Sequence, residues 1–238
     1  MRGKGFTFKQ FHINHGRCAM KVGTDGTLIG AWASLPDDCR HILDIGTGSG
    51  LIAIMAAQRH PKVQITAIDI DSDCIAQAQE NVEACPWSDR IEVHHTSLQE
   101  FQPEHKFDAI ITNPPYFVDS LLSPDGKRTT ARHTATLPFD ELVTGVMRLL
   151  APEGTLSLIL PPTECDRFLS AARGELFVTR RCEVWTTPTS QAKRIMTELQ
   201  TTPPAEPAQS DKIIIEEHGV MGYGEKYKAL TKDFYLKF

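Results

Sequence analysis

The sequence predicts an α/β protein built on a doubly wound, mostly parallel sheet with an antiparallel edge. Three observations carry that expectation. From His41 onward, short apolar runs suited to buried strands alternate with longer stretches of helical periodicity. The first run, His41-Ile42-Leu43, leads through Asp44-Ile45-Gly46-Thr47-Gly48-Ser49-Gly50 into apolar residues 51–57, which read as strand, glycine turn and buried helix. A later run, Phe107-Asp108-Ala109-Ile110-Ile111, delivers Asn113-Pro114-Pro115-Tyr116 to the end of a buried strand.

Along the chain, residues 1–38 show no sustained period and are expected to be an irregular segment near the ligand site. Residues 64–70, 91–97, 107–112 and 155–160 read as strands, and the spacing between or after them predicts helices near 72–84, 139–150 and 163–176. Asp71 and Asp73 stand where the first of these helices begins. Carboxylates there accept from free N–H groups and complement the positive end of the helix dipole, so both read as caps. Right-handed crossovers would bring the glycine turn and the Asn-Pro-Pro-Tyr segment to one carboxyl edge of the sheet. Strands at 177–187, 194–201 and 212–216 follow and include the antiparallel edge pair. Residues 202–211, with Pro203, Pro204 and Pro207 and few apolar side chains, are expected to form a flexible hairpin tip. The 238 residues suit a single domain.

Glycines at alternate positions let a backbone turn tightly and approach a ligand where a Cβ would collide. Dinucleotide sites use a similar turn, spaced G-x-G-x-x-G, with pyrophosphate on the helix N-terminus. Here the spacing is G-x-G-x-G, and Asp44 would set a carboxylate beside that pyrophosphate. An ammonium and a sulfonium suit the loop better, which points to S-adenosylmethionine as the cofactor. Asp69 closes the second strand about twenty residues beyond the glycines, the offset of an acid that holds ribose hydroxyls.

Asn113-Pro114-Pro115-Tyr116 combines an amide, a proline carbonyl and an aromatic ring, a set that suits an exocyclic amine. The lone pair of such an amine is delocalised into the base and must be drawn back before it attacks a methyl carbon. The Asn113 side-chain oxygen and the Pro114 backbone oxygen can each accept one N–H, while Tyr116 stacks on the base. Phe117 offers a second apolar wall, and Lys127, Arg128, Arg132 and His133 follow where incoming phosphates need counter-charges.

Taken together, the glycine loop, Asp69 and the tetrapeptide resemble the class I methyltransferases, Rossmann-like enzymes that methylate amino nitrogens. The likeness extends to the segment from Lys21 to Trp32 and to the ending from Leu230 to Phe238. These are similar to the bacterial enzymes that methylate adenine N6 in tRNA(Val), at the adenosine 3′ of the anticodon. The resemblance implies a tRNA modification enzyme that produces N6-methyladenosine, with Asn113, Pro114 and Tyr116 as its catalytic residues. Cofactor contacts would come from Lys21, Thr24, Asp44, Gly46, Gly48, Gly50, Asp69 and Asn113, with residues 23–30 as a lid or wall over the donor. Pro115, Phe117, Lys127, Arg128 and Arg132 would face the RNA. Many relatives end the third strand with an Asp for the donor's adenine amine. This chain reads His95-Thr96-Ser97-Leu98-Gln99, which leaves Ser97 and Leu98 as the corresponding contacts.

Three other readings compete. Protein glutamine methyltransferases share Asn-Pro-Pro-Tyr but usually carry a helical recognition domain ahead of it, whereas this chain reaches its glycine loop by Gly46. DNA adenine methylation would call for a separate base-recognition domain. A noncatalytic RNA-binding module is opposed by the intact tetrapeptide and Asp69.

Composition sets the remaining bounds. The net charge of −5 gives nucleic-acid binding no general support, yet the charge is unevenly distributed. Arg2, Lys4, Lys9, Arg17 and Lys21 precede the first acid at Asp25, and the tail carries Lys226, Lys228, Lys232 and Lys237 against Asp233. Six cysteines form no C-x-x-C pair, and adjacent His94 and His95 point to opposite faces of a strand, so no metal is expected. No apolar stretch is long enough to span a bilayer, so no membrane partner is expected. The expected compartment is the cytoplasm, the expected partner tRNA, and the favoured state a monomer.

Overall fold

A computed structural model describes residues 5–115 and 137–237. The chain opens with β1 (Gly5–Thr7), β2 (His12–Asn14) and α1 (Thr24–Trp32). Strands and helices then alternate: β3 (His41–Ile45), α2 (Leu51–Arg59), β4 (Gln64–Asp69), α3 (Ser72–Glu83), β5 (Ile91–His95) and β6 (Phe107–Thr112). The second half runs α4 (Phe139–Leu149), β7 (Leu150–Leu160), α5 (Pro162–Ala171), β8 (Phe177–Trp185), β9 (Ala192–Gln200), β10 (Gln209–Ile214) and α6 (Glu225–Thr231). Strands β3 to β10 form one sheet in the order β10-β8-β9-β7-β6-β3-β4-β5.

Strands buried on both faces read as continuous apolar runs, because crossover helices cover each side of a parallel sheet. Neighbouring residues of β3 show this. Ile42 joins a core with α1, α2 and Tyr227 of α6, while Leu43 joins a second core with α4 and α5 on the opposite face. In β6, Ala109 and Ile111 face the first layer and Ile110 the second.

The expected doubly wound sheet with an antiparallel pair is present. Strand β9 runs antiparallel to both β7 and β8, and β10 adds outside that pair, parallel to β8. Several details depart from the sequence reading. Because β10 pairs with β8 and not with β9, residues 201–208 step past β8 rather than form a hairpin tip, and 209–211 already belong to β10. The helix expected over 163–176 stops at Ala171, where a turn follows with Leu176 N–H donating to Ala172 O and Gly174 at φ +86°. Strand β7 begins five residues earlier than 155, since Pro152, Glu153 and Gly154 look like turn residues but lie in a strand whose register against β6 shifts.

The N-terminal segment departs most from expectation. It is ordered: β1 and β2 form an antiparallel hairpin, and residues 26–32 of α1 are all buried. Gly26 and Gly30 lower helix propensity, and the buried face runs all round, so no amphipathic period announces the helix. The packing explains the glycines. A Cβ on Gly30 would stand 2.9 Å from Met55 Sδ, and one on Gly26 would stand 3.1 Å from Leu51 Cδ2, so α1 lies close against α2. Arg59 closes the C-terminal end of α1, with Nη1 donating to Gly30 O at 2.9 Å and Nη2 to Ala33 O at 2.7 Å. Arg90 does the same for α2 through Ala57 O and His60 O.

This packing makes a testable distinction between two glycines. Gly30→Val should lower stability by roughly 1–3 kcal/mol through overpacking against Met55. Gly16→Ala, where a Cβ meets nothing within 4 Å, should stay within about 0.5 kcal/mol. Urea denaturation of both variants checks this, and equal midpoints would remove the close α1–α2 approach.

Candidate active site

Three neighbouring strands end side by side. Ile45 of β3 pairs with Ile68 of β4 on one side and Thr112 of β6 on the other, at the usual spacing of about 4.8 Å. One residue beyond those partners stand Gly46, Asp69 and Asn113. The sheet order reverses between β3 and β6, and crevices outside such a switch point are where α/β sheets bind ligands. Thr112 Oγ1 donates to Ile45 O at 2.9 Å and ties the two strand ends together.

The turn after β3 requires its glycines. Gly46, Gly48 and Gly50 have φ of +70°, +55° and +81°, a region that costs other residues about 1–2 kcal/mol. Gly46 N–H and Thr47 N–H both donate to Ile68 O, at 2.9 and 3.0 Å. Asp69 completes the anchor: Oδ2 accepts from Gly48 N–H at 2.8 Å and Oδ1 from Asp71 N–H at 3.0 Å. Each carboxylate oxygen retains acceptor capacity for a ligand hydroxyl. Asp71 is the N-cap of α3, accepting from Asp73 N–H and Cys74 N–H.

A cavity of about 550 Å³ opens over these strand ends. Gly46, Gly48 and Asp69 form its floor, Thr96 to Glu100 one wall, and Thr112, Pro114 and Pro115 another. Cys18, Ala19 and Met20 close it from the N-terminal segment. Leu98 is seated by α4: a Cβ on Gly145 would stand 2.5 Å from Leu98 Cδ2, and Arg148 Nη2 donates to Leu98 O at 2.6 Å. The charged residues on the described wall are Asp69, Asp71 and Glu100, all acids. Such a wall disfavours a pyrophosphate and suits a cationic ligand.

The structure brings Gly46, Gly48, Asp69, Ser97, Leu98, Pro114 and Pro115 to this wall. Asn113 is partly buried between wall residues Thr112 and Pro114. Four expected cofactor contacts stand elsewhere. Lys21 and Thr24 are exposed outside the lining, because α1 packs on α2 and the wall is made by residues 18–20 instead of 23–30. Gly50 is the N-cap of α2, where a Cβ would meet Ala78 of α3 at 3.5 Å. Asp44 lies fully buried behind the loop, with Oδ2 accepting from Thr47 Oγ1 at 2.6 Å and Ala53 N–H at 3.1 Å. Tyr116, Phe117, Lys127, Arg128 and Arg132 lie outside the described residues.

Sequence reading missed Cys18 to Met20, which only the tertiary fold brings to the cavity. Ile70 carried a signal, since it follows Asp69 directly and is half exposed on the wall. The six cysteines are buried thiols, and the described residues contain no group of three or more His, Cys, Asp or Glu that could hold a metal.

Comparison with known proteins finds a match to the methyltransferase small domain over residues 28–163. A tRNA1(Val) (adenine(37)-N6)-methyltransferase from Parabacteroides distasonis is 49% identical over 236 residues, covering 98% of each chain. One from Phocaeicola vulgatus is 47% identical, covering 97% of each. Among solved structures, an Agrobacterium tumefaciens protein described as a predicted O-methyltransferase superposes with a TM-score of 0.70. It is 19% identical and covers 88% of this chain and 96% of its own, so the likeness shows the fold.

Asp44 gives the site a pH signature. Burial, opposed by the Thr47 and Ala53 hydrogen bonds and reinforced by the charge of Asp69, pushes its carboxyl up to about 7. A folded-state value above the unfolded one, about 3.9, means the fold favours the protonated form. Its contribution is fully present below about pH 4 and is lost as the pH rises through about 7. Without ligand, stability should fall across that window by at most about 1.4 kcal/mol per pH unit, and Asp44→Asn should flatten the fall. Denaturation at pH 5 and pH 8 checks this; equal slopes in both proteins would disprove it.

Proposed function

The chain belongs to the methyltransferase small domain family and to the tRNA1(Val) (adenine(37)-N6)-methyltransferases, and on that premise we propose that it methylates N6 of adenine 37 in tRNA1(Val), using S-adenosylmethionine. The carrying observation is the juxtaposition of Asn113-Pro114-Pro115 with the Gly46–Gly50 turn and Asp69, on three adjacent strand ends over one cavity. The donor would suit that cavity by charge: its ammonium and sulfonium leave it a net cation despite its carboxylate, and among the described residues the charged ones on the wall are Asp69, Asp71 and Glu100. When bound, it supplies a methyl group already activated by the sulfonium.

Asp69 would hold the ribose hydroxyls through the lone pairs left free by Gly48 N–H and Asp71 N–H. The turn, free of Cβ atoms at Gly46 and Gly48, admits the methionine end against its backbone. Asn113 Oδ1 and Pro114 O would accept the two N–H groups of the adenine amine and aim its lone pair at the methyl carbon. The base leaves its stack to reach this position. With the methyl group already activated, Asn113 Oδ1 and Pro114 O would need only to place the amine, whose excess proton would pass to solvent water, so no strong base is needed and placement dominates. Tyr116 would supply the stacking face and Phe117 a second wall. Lys127, Arg128 and Arg132 would meet phosphates. A tRNA substrate also implies a cytoplasmic setting.

Incubation with labelled donor and separate pools of unmodified tRNA, DNA and release-factor protein tests the substrate class. Label should appear in tRNA alone. Asn113→Ala should fold and bind donor and RNA yet lose about 10²–10³ in kcat, by analogy with removing one preorganised polar contact. Single-turnover assays at saturating donor and tRNA measure that step, and near-wild-type chemistry would falsify the acceptor assignment.

Asp69→Ala should weaken donor binding by roughly 2–4 kcal/mol through loss of charge-assisted hydrogen bonds. Calorimetric titration reads this directly. An unchanged donor affinity would move the ribose site elsewhere.

A further inference from the structure

The cavity wall at Cys18, Ala19 and Met20 follows β2 on a stretch without helix or strand, so its position depends on what fastens it. Helix α3 supplies the fasteners. Asn81, 1% exposed, uses one carboxamide for three hydrogen bonds of 2.8 Å. Its Oδ1 accepts from Asn14 N–H, and its Nδ2 donates to Asn14 O and to Ser49 O. Ser49 lies inside the glycine turn, directly after Gly48 on the cavity floor, so a single buried side chain spans from that turn to the N-terminal segment.

One helical turn earlier on the same face stands Gln77, 2% exposed. Its Oε1 accepts from Arg17 N–H at 3.3 Å, one residue before Cys18, and its Nε2 donates to Glu80 Oε2 at 3.2 Å. Glu80 in turn faces the Arg17 guanidinium at 3.7 Å, an exposed pair that contributes little. Apolar residues at 77 and 81 could fill the same volume, since Ala78 and Val82 beside them are buried. They could not fix backbone groups of two separate segments at hydrogen-bond distance. Amides at both positions therefore specify geometry, a role that packing alone does not require.

We infer that Asn81 and Gln77 are positioning residues for the methyl donor, holding the Cys18–Met20 wall at a set distance from the glycine turn. The inference rests on the donor site proposed above. Neither side chain lines the cavity, so both act through the segments they hold.

The test measures S-adenosylmethionine affinity by calorimetry, kinetics with tRNA, and hydrogen exchange at the Asn14 and Arg17 amides, in wild type, Asn81→Ala and Gln77→Ala. Asn81→Ala should raise donor Kd about tenfold or more, corresponding to loss of buried hydrogen bonds worth upwards of about 1.4 kcal/mol. Gln77→Ala, which leaves the Ser49 contact intact, should raise it about threefold. Both variants should keep kcat at saturating donor within about threefold, and exchange at residues 14 and 17 should quicken. In wild type, donor should slow the same amides. Should Asn81→Ala fail to fold, Gln77→Ala decides alone. Wild type that binds no donor overturns the reading beneath this inference; donor affinity unchanged in folded Gln77→Ala, with wild type binding normally, overturns the inference itself.

Discussion

The register of β3 against β4 and β6 is the constraint from which the candidate site follows. A slip of one residue would exchange the two buried faces, sending Leu43 toward α2 and Ile42 toward α4. It would also displace Asn113 from Gly46 by about 3.3 Å, the rise of one strand residue. Side chains pin both ends of the β3–β6 pair. Asp108 Oδ2 accepts from Arg40 N–H at 2.8 Å and His41 N–H at 2.9 Å where β3 begins, and Thr112 Oγ1 bonds Ile45 O where it ends. Apolar burial selects the faces, and these polar contacts fix the stagger.

Carboxylates divide the remaining work by their degree of burial. Asp44 is sealed beneath the turn and holds it from below, through Thr47 and the first turn of α2. Asp69 is partly buried at the surface of the same turn, holds it from the side and still faces the cavity. Asp71 anchors the following helix and reaches the cavity as well. Three acids within 28 positions thus differ in role because their surroundings differ: Asp44 lies inside β3, Asp69 closes β4 and Asp71 caps α3.

Much of this was legible in the sequence. Glycines at 46, 48 and 50 proved to need left-handed backbone, and the acid closing the next strand proved to bond into that turn. Helices whose polar faces meet water, such as α3 and α4, were found nearly to the residue. Helix α1 was not, since a helix buried all round has no polar face and its glycines argue locally against it. The site shows the same division. Residues joined by short-range spacing were readable, whereas Cys18 to Met20 and their fasteners Gln77 and Asn81 meet across about 60 positions. No local pattern encodes such an encounter.

The absence of any base from the described cavity wall bears on how a catalytic cycle would turn over. Giving up its methyl group converts the donor's sulfonium into an uncharged thioether, so the spent molecule carries one positive charge fewer than the fresh one. A wall on which Asp69, Asp71 and Glu100 are the charged residues among those described attracts the fresh molecule more strongly. Electrostatics alone would then favour replacement of the spent molecule, and added salt, by screening the difference, would leave the site more prone to clogging by its own by-product.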